Sequence, residues 1–319
     1  MTLRPLAAVP LLALLACGGD SAAARVQVER DTLGDTLVVR TMAGSVWETP
    51  RTLEPEVRIG TFEGEDEYML GDVGGFAVAP GGEIYIFDRQ VPALRKYGPD
   101  GTFLATFSRE GGGPGEYKQS DGGLAVLPDG RVLLRDPGNA RINVYSASGE
   151  SLGHWELRGG FFTSRRLYAD TAGRVYTQIW GTNEAGERYG GLQAYGPDGQ
   201  KADSILAPDW DFEGPTLSVS GESFSMINSV PFSPTEQWTF HPHGYILGGV
   251  SNRYAVDVFR PDGSVLRIER AFEPVPVGAG EKNDAEARAI HKVFGDKAAS
   301  VPRSRQLHQS CESALFRNL

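Results

Sequence analysis

Three observations predict an all-β chain of repeated four-stranded units. A sentence of about forty residues recurs four times along the 319-residue sequence, each copy offers four short strand candidates, and reversals built on glycine separate them. Four strands per repeat at this period is the signature of a β-propeller blade. Composition agrees: 41 glycines and 20 prolines suit many tight turns, and 40% hydrophobic residues suffice for a packed core.

The first copy, residues 74–107, reads GGFAVAPGGEIYIFDRQVPALRKYGPDGTFLATF. Its strand candidates are Phe76–Val78, Ile84–Phe87, Leu94–Tyr97 and Phe103–Phe107, divided by Pro80-Gly81-Gly82 and Pro99-Asp100-Gly101. The second, 122–157, repeats it: Gly82 aligns with Gly130, Asp88 with Asp136, Arg95 with Arg141 and Gly101 with Gly149. A third copy spans 165–206 with a longer internal loop, and a fourth spans 236–270. Near-continuous apolar second strands (IYIF, VLL, YIL) fit sheets covered on both faces. Aromatics at blade positions Phe76, Tyr85, Tyr97, Phe103 and Tyr145 are predicted to be core.

Asp136-Pro137-Gly138-Asn139-Ala140-Arg141-Ile142 resembles the D-x-x-N-x-R-I core of NHL-type blades, and the stretch from Asp88 is a looser version without the asparagine. Arg109–Tyr117 (REGGGPGEY) resembles the blade connection of bacterial six-bladed NHL/TolB-like propellers. The resemblance covers residues 46–303 and implies six blades, although four are recognisable. Asp88, Asp136, Asn139 and Arg141 are assigned to holding turns, with an arginine or a backbone N–H as the aspartate's partner.

The N-terminus, residues 1–16, reads as a signal peptide: Arg4, then an apolar run from Leu6 to Ala16 too short to span a bilayer. Leu14-Leu15-Ala16-Cys17 resembles a bacterial lipobox, which predicts lipidation of Cys17 and a lipid-anchored leader and N-terminal segment over 17–45. Gly18 after the cysteine resembles the outer-membrane sorting pattern; the alternative is plain secretion after Ala22–Ala24. The remaining thiol, Cys311, leaves no intramolecular disulfide and no zinc spacing once Cys17 is lipidated. A net charge of -10 argues against nucleic acid and anionic lipid, so the membrane is contacted through the anchor only.

The propeller proper is assigned to 46–278. Glu56–Gly60 (EVRIG) is predicted to join the last blade and close the ring. Residues 279–304 read as an insertion, helical near Asp284–Phe294, leading to a missing blade, and 305–319 as an aberrant tail. The sequence therefore predicts a chain truncated near Ser304 and short of about two blades. A genuine four-bladed or partner-completed protein is the alternative.

Propellers bind ligands on the face where strand two turns into strand three and where blades connect. The repeats place Gly74–Gly75, Gly122–Gly123, Arg165–Arg166 and Glu236–Gln237 on that face, with Arg109, Glu116, Tyr117 and the loop Trp180–Tyr189 nearby. Arg109, Glu116, Tyr117, Arg165, Arg166 and Trp180 are the ligand-face candidates; Arg165–Arg166 would receive an anionic group, or form a solvated charged loop. The partner expected is a protein, peptide or glycan at the cell envelope, with no cofactor and no catalysis. The alternative, a calcium-dependent hydrolase or lactonase, requires carboxylates converging on the channel, for which Asp72 and Asp121 are the nearest. His241-Pro242-His243 reads as an exposed turn on the opposite face, and His154 and His291 are isolated. No nucleophile elbow, phosphate loop or HExxH stretch is present, and the Gly111–Gly115 run, lacking lysine, is a blade connection.

Overall fold

The structure, a computed structural model, describes residues 26–45, 51–157, 166–182, 186, 188–220 and 225–294. It begins with a hairpin, β1 (Gln27–Leu33) and β2 (Thr36–Ala43). Blade one follows as β3 (Val73–Val78), β4 (Ile84–Asp88), β5 (Ala93–Tyr97) and β6 (Phe103–Phe107). Blade two is β7 (Leu124–Val126), β8 (Val132–Asp136), β9 (Arg141–Tyr145) and β10 (Ser151–Glu156). Blade three is β11 (Leu167–Ala169), β12 (Val175–Thr182), β13 (Arg188–Tyr195) and β14 (Lys201–Leu206). A separate hairpin, β15 (Thr216–Ser220) and β16 (Ser225–Ser229), precedes blade four: β17 (Glu236–Phe240), β18 (Ile246–Val250), β19 (Ala255–Phe259) and β20 (Val265–Arg270). The helix α1 (Ala279–Phe294) ends the described chain. No described helix is long and apolar enough to cross a membrane.

Within each blade the strands pair antiparallel in chain order. The turn glycines Gly82, Gly101, Gly130 and Gly149 carry φ of 90°, 85°, 86° and 89°, which a residue with a Cβ adopts only at a cost of about 1–2 kcal/mol. The core lies between the blades. Tyr85, Phe87 and Phe107 of blade one pack against Leu124, Leu134 and Tyr145 of blade two. The other side of blade two, through Leu133, Ile142 and Trp155, meets Leu167, Val175 and Tyr195 of blade three. Tyr176 and Leu192 of blade three then meet Phe240 and Ile246 of blade four. Each such ring contributes about 1.5–3 kcal/mol by burial, so an inner blade is held from both sides. The β15–β16 hairpin is no fifth blade, because blade three packs straight onto blade four.

Two expectations about the fold require correction. Glu56–Gly60 forms no strand and does not join blade four. The stretch 51–72 instead lies against the outer side of blade one: Val57 and Ile59 border Gly101, Tyr68 meets Tyr97 at 6.0 Å, and the Tyr97 hydroxyl donates to the Glu67 carbonyl at 2.6 Å. The edge it was expected to occupy is taken by β2, which pairs in parallel with β20 and extends blade four to six strands. Arg40 Nε fixes that register by donating to Glu269 at 2.6 Å. The second correction is Phe76, which is 68% exposed on the side of β3 turned away from blade two, whereas Tyr85, Tyr97 and Tyr145 are buried.

Candidate functional site: a cleft between blades three and four

The level of the innermost strands at which blades one and two meet decides where a cleft forms. Register makes Gly75 and Gln237, which pair with Phe87 and Gly249, equivalent to Gly123 and Arg166, each the residue just before the innermost strand of its blade. Between blades one and two the glycines let the backbones touch. A Cβ on Gly75 would strike the Gly122 carbonyl oxygen, and one on Gly122 the Gly74 backbone. In blade two the buried Arg135 guanidinium donates to Asp121 and fills the space. Burial is the largest influence on both partners, raising the Asp121 carboxyl and lowering the Arg135 guanidinium against their mutual attraction.

At blades three and four the same level carries side chains, and β11 and β17 stand farther apart than β3 and β7 do. The result is a cleft of about 310 Å³. Blade three contributes Arg166, Tyr168, Gln178 and Trp180; blade four contributes Glu236, Gln237 and Trp238. Residues two apart on a strand share a face, so Arg166 stands above Tyr168, Trp180 above Gln178, and Glu236 above Trp238. Tyr168 meets the core ring of Phe240 at 5.9 Å, so the floor of the cleft is continuous with the core between these blades.

Each tryptophan pairs with a glycine across its blade. Trp180 pairs in register with Gly190, and a Cβ there would run into its six-membered ring at 2.6 Å. Trp238 pairs with Gly248, where a Cβ would meet the Trp238 Cβ at 2.7 Å and the Trp210 ring at 2.9 Å. Trp210 is itself tied down, its indole N–H donating to the buried Asp257 at 2.9 Å, which Arg267 also grips with two bonds. The indole of Trp180 remains 62% exposed. Glu236 is exposed as a residue, yet partial burial of its carboxyl, followed by the charge of nearby Asp209, pushes its pKa upward.

The other sequence candidates fall elsewhere. Arg109 and Glu116 lie in the blade connection and bind each other at 2.8 Å, with Glu116 also accepting from the Gly113 N–H at 2.8 Å. Arg109 is 83% exposed, while the Arg109 bond and the Gly113 N–H hold the Glu116 carboxyl below its ordinary range. Tyr117 is corrected from ligand contact to core: it is 1% exposed, its hydroxyl donates to the Pro92 carbonyl at 3.1 Å, and burial pushes that hydroxyl up to about 12. Arg165 and Cys17 lie outside the described residues. Sequence reasoning missed Tyr168, Gln178 and Trp238 as cleft residues, because inside strands they carry the alternation of any half-buried sheet.

The aspartates that recur in the repeats clamp the incoming loop to the turn after strand two. Asp88 accepts from the backbone N–H of Gly71 at 2.8 Å, Asp72 at 3.0 Å, Gln90 at 2.9 Å and Val91 at 3.4 Å, and Arg95 lies 3.5 Å away. Asp136 accepts from the Lys118 N–H at 3.2 Å, the Gln119 N–H at 3.1 Å and Asn139 Nδ2 at 2.7 Å, with Arg141 at 3.9 Å. Asn139 and Arg141 reach on to the carbonyls of Gly111 and Gly113, tying the glycine-rich connection to blade two. The carboxylates weighed for a metal are committed to arginines: Asp72 to Arg89 at 2.7 Å, Asp121 to Arg135. Among the described residues no group of three or more His, Cys, Asp or Glu is placed to hold a metal ion. His241 and His243 form the turn between β17 and β18, their rings 5.1 Å apart and that of His241 stacked on Tyr245.

No protein-family model and no curated protein matches the sequence. Solved structures do. A Bacteroides fragilis protein described as exported is 12% identical over 73% of this chain and 63% of its own, with a TM-score of 0.45. Virginiamycin B lyase from Staphylococcus aureus is 12% identical over 63% of this chain and 70% of its own, at 0.34. An auxiliary nutrient binding protein from Bacteroides ovatus is 13% identical over 62% of this chain and 47% of its own, at 0.36. The chain thus spans less than two thirds of the length of the Bacteroides fragilis protein. At these identities and scores none of them bears on the ligand of this chain.

Proposed function

We propose that the protein is a binding propeller of the bacterial cell envelope, related to the NHL/TolB-like type, that takes its partner in the cleft between blades three and four. The observation that carries this reading is the cleft itself, where indoles and polar side chains of two blades converge on the loop face. Hydrogen exchange with envelope-derived peptide and glycan fractions tests it. Protection is expected in residues 166–180 and 236–238; protection confined to the 109–117 connection would overturn the site.

The apolar run ending at Cys17 supports export and lipid anchorage. Cys17→Ser is expected to move the protein from the membrane pellet to the soluble fraction. A variant that still sediments with membranes would remove the anchor from the proposal.

A further inference from the structure

Resting on that reading of the cleft, we infer that its ligand is the end of a neutral glycan, with a sugar ring seated against Trp180 and Trp238. Three properties of the cleft select this class. The first is flat apolar surface: Gly190 leaves room for the Trp180 indole, which any larger residue would displace, and Trp238 stands opposite Gly248 beside the Trp210 ring. A pyranose ring presents a face of C–H groups that such a surface covers, while its hydroxyls project sideways.

The second is the polar complement at ring height. Gln178, Glu236 and Arg166 all carry planar, forked hydrogen-bonding groups, and together they supply both donors and acceptors. Forked groups match pairs of adjacent hydroxyls. The third is charge: Arg166 and Glu236 offset each other within the cleft, and the whole chain carries -10. A strongly anionic ligand meets Glu236 and the field of the protein, and a cationic one meets Arg166. Peptide capture by strand addition would need a long free strand edge, but β11 has three residues and the cleft presents side chains. At about 310 Å³ the space is at the small end of ligand pockets, ~300–1,000 Å³, which suits a chain end.

Titration of the full chain with cellobiose, maltose and N,N′-diacetylchitobiose, followed by tryptophan fluorescence and calorimetry, tests the inference. At least one disaccharide is expected to bind saturably at millimolar concentration and to shift the tryptophan emission. Trp180→Ala is expected to weaken that binding about tenfold. Melting should be unchanged, because the side chain is largely exposed. Gly190→Val, which displaces the indole without removing it, should weaken binding similarly. If none of the three sugars binds, the glycan assignment is overturned. Binding of choline or triglycine that depends on Trp180 would also overturn it while leaving the cleft as the site. Silence of Trp180 to every probe, with exchange protection elsewhere, would remove both.

Discussion

Asp136→Ala is expected to destabilise the protein by about 3–5 kcal/mol, lowering Tm by about 10 °C. The carboxylate is fully buried, and its removal strands two backbone N–H groups, the Asn139 amide and the neighbouring Arg141 guanidinium. Unsatisfied buried donors cost about 1–3 kcal/mol each, so the loss exceeds that of an ordinary hydrogen bond. Asp136→Asn should recover little, because its N–H₂ would face donors. Urea denaturation measures the effect, and a loss below about 1 kcal/mol would show that the clamp is dispensable. The twin clamp at Asp88 carries a pH signature. Burial opposes its charged form, but four backbone N–H groups outweigh that and hold its pKa below the ordinary value. The unfolded chain then binds the proton more tightly, at about pH 3.9, so the stabilisation is complete above that value and is lost as pH falls through the folded one. Asp88→Asn should flatten the acid limb of the stability profile; an unchanged slope would refute the assignment.

Gly122→Ala is expected to cost about 3 kcal/mol or more, and Gly130→Ala only about 1–2 kcal/mol. The two glycines have nearly the same φ, 88° and 86°, so the intrinsic penalty cancels. They differ in surroundings. A Cβ on Gly122 enters the backbone of Gly74 in the neighbouring blade, whereas one on Gly130 finds only the Ala147 Cβ, 3.8 Å away. The difference measures how far blades one and two must separate, and equal losses would mean that their inner ends yield freely.

The residues show which parts of this structure could be read from sequence. Gly82, Gly101, Gly130 and Gly149 advertise their turns because positive φ demands a residue type. The apolar second strands advertise burial on both faces, and both signals repeat, which is why the blades were legible. The clamps were half legible: Asp88 and Asp136 recur, but their partners at 71–72 and 118–119 are backbone N–H groups that every residue owns. Repeat alignment brought Arg166, Glu236 and Gln237 to one level and set Trp180 nearby. It could not reveal Trp238 or Gln178, since their membership depends on the gap between two sheets. The pairing of β2 with β20 has no local signature, and Glu56–Gly60 carried an equally good strand pattern without an edge to join.

That pairing also sets a timetable. Arg40 and Glu269 are 229 residues apart, so at a ribosomal pace of about 5–20 residues per second the first hairpin waits roughly 10–50 s for its partner strand to be made. Through that interval Leu37, Val38 and Val39 have no blade to extend, and a hairpin made before blade one is among the last elements to dock. Blade four is therefore stitched from both halves of the chain. A ribosome that stalls before Val265 leaves a nascent product with an orphaned β1–β2 hairpin and an incomplete blade four.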